Sequence, residues 1–249
     1  MKTVVLGDTH GRQFWKLVVN SLETDLDRLI FIGDYFDSFD INGKDQINNF
    51  LDIIEYKKTG GKEVILLIGN HDHHYFYGVG NTGTSGYQAV MAPVIGHVLE
   101  ENKEHLQMAY QFEDFLFTHA GVGETFMNDI YGKDGWSVDN LANDLNELWK
   151  HKPHAFTFNG WNASGDDMGQ TPIWIRPLSL TKDSHNIRKY LKQVVGHTGQ
   201  REILLDEKST LKYKYYFIDT LGSAKGQYLI IEDKTLKIGQ IHGKREEDT

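Results

Sequence analysis

Val4-Val5-Leu6-Gly7-Asp8-Thr9-His10-Gly11 is the stretch that decides the fold. Three apolar residues make a short buried strand, a glycine follows, and then a carboxylate and an imidazole appear beside the core. Asp8 and His10 are two apart, so on an extended backbone both side chains point the same way and can share one ion. The same grammar recurs further along. Leu29-Ile30-Phe31-Ile32 runs into Gly33-Asp34-Tyr35-Phe36-Asp37, and Val64-Ile65-Leu66-Leu67-Ile68 into Gly69-Asn70-His71-Asp72. Phe115-Leu116-Phe117 leads to Thr118-His119-Ala120-Gly121, and Val194-Val195 to Gly196-His197-Thr198-Gly199. In each case a buried strand fixes direction, glycine lets the chain turn sharply, and a polar ligand-type residue emerges at the strand's carboxyl end. One such cluster means little. Five in order, each behind a strand, place costly polar groups at the core and demand a return.

Between these clusters the pattern alternates. It predicts strands over 2–6, 29–32 and 64–68, with helices over 14–22 and 45–58, so the first third is built of βαβ units with parallel strands. A helix over 138–149 aligns Leu141, Leu145 and Leu148 on one face. Strands follow over 193–195, 213–218, 228–231 and 236–241, and short connections there predict antiparallel pairing. The outcome is a mixed α/β layer joined to a second sheet, with helices outside. No repeat, low-complexity tract or linker divides the 249 residues, which reads as one domain over 1–249.

Composition narrows the chemistry. The chain has no cysteine, which excludes disulfides, thiolate zinc sites and a cysteine nucleophile. A net charge of −9 argues against tight nonspecific nucleic-acid binding. No apolar run is long enough to span a membrane, and the start of the chain lacks a secretory pattern, so the expected compartment is cytoplasmic. Ligands of Asp, His and Asn type without sulfur suit a borderline divalent ion such as Mn, Fe or Zn. Gly78-Val79-Gly80-Asn81-Thr82-Gly83 fits a dinucleotide-binding pattern, but it trails the His71 cluster instead of opening a helix after a strand, and reads as a loop. His73 and His74 read as supporting or surface residues, not as an extra metal site.

The five clusters together resemble the calcineurin-like metallophosphoesterases, most closely their phosphoprotein-phosphatase branch with its bacterial and phage serine/threonine phosphatases. The family pattern GDxHG, GDxxDRG, GNHE, a His before small residues, and GH appears as Gly7–Gly11, Gly33–Ser38, Gly69–Asp72, His119–Gly121 and Gly196-His197. The resemblance implies two mixed sheets packed in a four-layer αββα sandwich. It implies two divalent ions, manganese first among them with iron or zinc as alternatives. Asp8, His10 and a bridging Asp34 would hold one; Asp34, Asn70, His119 and His197 the other. Gly199 stands where other branches carry a second His, which favours the phosphatase branch.

Ile173-Trp174-Ile175-Arg176-Pro177 resembles the W-x-R segment that supplies a phosphate-binding arginine, so Arg176 and Asn70 would bind the substrate. The implied reaction is hydrolysis of a phosphoric monoester by a hydroxide bridging the two ions. His71 would protonate the leaving group, with Asp37 fixing its tautomer. The substrate would be a phosphoprotein, a nucleotide or a polynucleotide end. Phosphodiesters or dinucleoside polyphosphates are the alternative substrates, and a weakened phosphate-binding protein is the alternative of another class. Two positions depart from the pattern. Asp72 replaces Glu, and Ser38 replaces the DRG arginine, so a phosphate-binding cation is missing unless another, Arg12 or Arg201, fills the gap.

Overall fold

A computed structural model describes residues 1–22, 25–79, 84–162, 164–205, 215–220, 222 and 226–241. β1 (Lys2–Leu6), α1 (Phe14–Leu22), β2 (Arg28–Phe31), α2 (Gly43–Thr59) and β3 (Glu63–Leu67) alternate as expected, and the three strands pair in parallel. α2 begins two residues earlier than the pattern predicts because the Asn42 side chain caps it, accepting from the Asp45 N–H. Beyond β3 come the one-turn helix α3 (Asn70–His73), α4 (Ala92–Glu101) and β4 (Leu106–Gln107), which pairs parallel to β3. β5 (Ala109–Phe112), β6 (Phe115–Thr118), α5 (Glu124–Tyr131) and α6 (Leu141–His151) follow. The helix expected over 138–149 starts as a 3₁₀ turn and becomes α-helical at Leu141, burying Leu141, Leu145 and Leu148. Then come α7 (Pro177–Lys182), α8 (Ile187–Tyr190), β7 (Lys192–Val195), β8 (Tyr215–Phe217), β9 (Gln227–Glu232) and β10 (Thr235–Gln240).

The strands form two sheets, one of order β10-β9-β1-β2-β3-β4 and one of order β5-β6-β7-β8. Period-two alternation explains how they stack. Val5, Ile30, Ile65 and Leu67 point one way and join Phe115, Phe117 and Val194 of the second sheet in one apolar cluster. Val4, Leu29, Phe31, Val64 and Leu66 point the other way, onto Trp15, Val18, Phe50 and Ile53 of α1 and α2. Leu116 and Ala109 of the second sheet meet Leu141 and Leu145 of α6. The layers are helix, sheet, sheet, helix, as the resemblance implies.

The last third departs from expectation in part. β9 and β10 pair antiparallel as expected, and β9 is also antiparallel to β1. β7 is parallel to both β6 and β8. The connection from β7 to β8 covers residues 196–214, long enough for a crossover, so the pairing there is parallel instead of the antiparallel one that short links predict. Residues 213 and 214 of the expected strand lie outside the described residues. No helix among the described residues is long and apolar enough to cross a membrane.

Candidate active site

Parallel strands put their carboxyl ends at one edge, and both sheets contribute. β1 delivers Asp8 and His10, β2 delivers Asp34 and Asp37, and β3 runs into α3 with Asn70 and His71; β6 delivers His119 and β7 delivers His197. Hydrogen bonds tie these ends together. The Thr9 and His10 N–H groups donate to the Asp34 carbonyl at 3.2 and 2.8 Å. The His197 N–H donates to the Asp8 carboxylate at 3.1 Å, joining the two sheets. All the metal-ligand candidates read from the sequence therefore converge.

The local backbone differs from the expectation in two ways. Gly69 and Gly196 are needed for close approach, not for sharp turning. A Cβ at Gly69 would land on Asp34 Oδ1, and one at Gly196 on Asp8 Oδ1. Nor do Asp8 and His10 align by strand alternation, since β1 ends at Leu6 and His10 has a φ of 44°. Asp34, Asp37 and His197 share that left-handed region at 55°, 64° and 63°. Such conformations cost roughly 1–3 kcal/mol each and persist where surrounding contacts enforce them.

Three histidines each present one ring nitrogen to a backbone carbonyl. His10 Nδ1 lies 2.6 Å from the Phe36 carbonyl, His119 Nδ1 3.0 Å from that of Ile32, and His197 Nε2 3.1 Å from that of Trp174. A carbonyl only accepts, so these nitrogens are assigned as the N–H donors, and the opposite nitrogens carry lone pairs. Those lone pairs meet further acceptors. His119 Nε2 lies 3.3 Å from Asp34 Oδ2 and 3.0 Å from Asn70 Oδ1. His197 Nδ1 lies 2.9 Å from the same Asn70 oxygen, and His10 Nε2 3.8 Å from the same Asp34 oxygen. Acceptors facing acceptors in a buried site are what a cation satisfies. Asp8, Asp34 and His119 offer ligand atoms all within 4.8 Å of one another, a group that could hold a metal ion.

The electrostatics agree with such a site. Burial, with Asp219 and Asp34 nearby, pushes Asp8 well above the usual carboxylate range. Burial acts on Asp34 in the same sense, yet His119, His71 and His10 outweigh it and hold Asp34 well below that range. Burial beside His119 and Arg176 drives His197 down, favouring the neutral ligand form.

His71 stands at the open side. Its Nδ1 lies 2.9 Å from Asp37 Oδ2, and its N–H donates to Asp34 Oδ1 at 2.9 Å. Burial disfavours its charge, but Asp34 and Asp37 together raise its pKa. Asp37 has further partners that the sequence did not reveal: His74 Nε2 at 2.9 Å and the Tyr75 hydroxyl. His74 thus packs against the His71–Asp37 pair. His73 is buried between Trp149 and Phe156 with Nε2 on the Pro153 carbonyl, away from the ligands.

Arg176 lines the same cleft as Asp34, Asn70, His71 and His197. Its Nη1 donates to the His197 carbonyl and Thr198 Oγ1 at 3.0 and 3.1 Å, and its Nε to the Ser164 carbonyl at 2.9 Å.

Two acidic residues gain roles that sequence reasoning did not assign. The buried Asp72 carboxylate accepts from the N–H groups of Asp34, Tyr35 and Gly69 at 2.8, 2.7 and 2.9 Å. It therefore staples the β2 and β3 ends together. Asp219 follows β8 and lines the cleft with Asp8 and His10. Burial and Asp34 push its pKa up to about 6. The signal was present: Phe217-Ile218-Asp219 is a sixth apolar run ending in a carboxylate.

With this geometry in view, the comparisons are consistent. Residues 1–200 match the model of the calcineurin-like phosphoesterases. The chain belongs to that family, and is a phosphoester hydrolase of it. A cold-active protein tyrosine phosphatase superposes with a TM-score of 0.63 at 18% identity, covering 98% of this chain and 78% of its own. A serine/threonine phosphatase from Saccharomyces cerevisiae, similar to human PP5, gives 0.60 at 17% identity, covering 100% and 82%. At such identities the likeness speaks for the fold. Comparison with curated proteins gives no match.

Proposed function

We propose that this protein hydrolyses phosphoric monoesters with two divalent ions, manganese being the first choice. The observation that carries the reading is Asp34 Oδ2, set between His10 Nε2 and His119 Nε2 at 3.8 and 3.3 Å. That position between two histidines supports reading Asp34 as a bridging ligand. Asp8 and His10 would complete one ion's set, and Asn70, His119 and His197 the other's. Ions held there would supply positive charge to the phosphoryl oxygens and would make water a competent nucleophile near neutral pH. Arg176, pinned by three hydrogen bonds, presents a preorganised guanidinium to the phosphate. His71 gives its Nε2 proton to the leaving oxygen, while Asp37 on Nδ1 holds the ring and favours the charged form.

One observation favours a second reading. Two cavities of ≈ 590 and ≈ 450 Å³ meet at Asp8, His10 and His71, leaving room on both sides for the two arms of a diester. A panel of aryl and seryl monoesters, nucleotides and aryl diesters, with added manganese or with chelator, decides between them. The expected result is faster monoester than diester turnover, abolished by chelation. Faster diester turnover would reverse the assignment.

A further inference from the structure

Ser38 stands where the family pattern has an arginine, and its surroundings show what it does instead. Its Oγ donates to Asp40 Oδ1 at 2.6 Å. Asp40 in turn takes Arg12 Nη2 on both oxygens, at 2.9 and 3.1 Å. The Arg12 backbone is fixed as well: its N–H donates to the Thr9 carbonyl at 2.9 Å, and its carbonyl accepts from the buried Asn49 side chain at 3.3 Å. Arg12 Nε and Nη1 donate to no described residue. The side chain is one-third exposed and lines the larger cavity with Asp8, His10, Asp37 and His71. Arg176 lines the other cavity, and the two share Asp8, His10 and His71.

We propose that Arg12, braced by Asp40 and Ser38, is a second phosphate-binding cation that faces Arg176 across the ligand cluster. This rests on the phosphoester-hydrolase reading of the site. A guanidinium held at one nitrogen, Nη2, by both oxygens of a carboxylate has its position fixed and keeps the Nε and Nη1 N–H groups as donors for phosphate oxygens. Ser38 and Asp40 are positioning residues that act through Arg12. An arginine introduced at 38 would add a cation but remove the hydroxyl that braces Asp40.

The test uses inorganic phosphate as the probe, titrated calorimetrically into the manganese-loaded full chain and also measured as a product inhibitor. Arg12→Ala should weaken phosphate binding about 10-fold and raise KM for a monoester similarly, with a smaller effect on kcat. Arg12→Lys, which keeps the charge but loses the fork, should fall between. Ser38→Ala should show the same KM-weighted pattern at about 3-fold, and Ser38→Thr, which retains the hydroxyl, should restore it. Lys16→Ala removes a nearby surface charge outside the cleft and controls for general electrostatics. Unchanged phosphate affinity in Arg12→Ala overturns the proposal, as does an equal loss in Lys16→Ala. A wild-type protein that binds phosphate through Arg12 yet hydrolyses no phosphoester supports the proposal and overturns the functional reading.

Discussion

His71 is held at both its backbone and its ring. Its N–H is fixed on Asp34 and its Nδ1 on Asp37, which leaves Nε2 alone to face the cleft. A group so oriented, with its pKa raised by two neighbouring carboxylates, is suited to deliver a proton. His71→Asn should therefore lose on the order of 10²–10⁴-fold in turnover of alkyl or seryl phosphates. Aryl phosphates with acidic leaving groups need little proton help, and their loss should be clearly smaller. Parallel rate measurements on both substrate types check this; equal losses would assign His71 a purely positional role.

Among the elements, α3 is the shortest helix of the site and does the most. It has one turn, follows β3, and carries Asn70 and His71 into the cleft, with Asp72 buried behind them. His73 anchors its other end in the core, 2% exposed, with Nε2 on the Pro153 carbonyl. Burial drives the His73 pKa down to about 4. The sign of its linkage follows. Below the unfolded value of about 6.5 the unfolded chain takes up a proton that the folded chain refuses, so His73 costs stability as pH falls from 6.5 towards 4. His73→Phe removes that dependence. Relative to wild type, the variant should gain about 2–3 kcal/mol between pH 7 and pH 4.5, from roughly two pH units at 1.36 kcal/mol each. Denaturant melts of both proteins across that range measure it, and parallel stability curves would contradict the buried, neutral His73.

Across the whole molecule, what the sequence made legible is the periodic part. Unbroken apolar runs such as Val64-Ile65-Leu66 announce strands buried on both faces, and the polar residues behind them announce the edge where they meet. All the ligand candidates could be read that way. Direction in the second sheet could not, because the 196–214 connection carries no periodic signal of a crossover. The role of Asp72 was hidden for a related reason: it depends on contacts with a strand distant in sequence, the Asp34 and Tyr35 N–H groups. Likewise Ser38 reads as a missing cation until Asp40 is seen linking it to Arg12.

The central claim is a two-ion site bridged by Asp34, and counting bound metal tests it most directly. Chelated protein is titrated with manganese, and ions per chain are measured by calorimetry and elemental analysis, for wild type and Asp34→Asn. Wild type should bind two ions. Asp34→Asn should lose tight binding of at least one and fall at least ~10-fold in phosphoester turnover, because the bridging charge holds both. Full turnover by protein holding one ion or none, or an Asp34→Asn variant that keeps both ions tightly bound, would contradict the account.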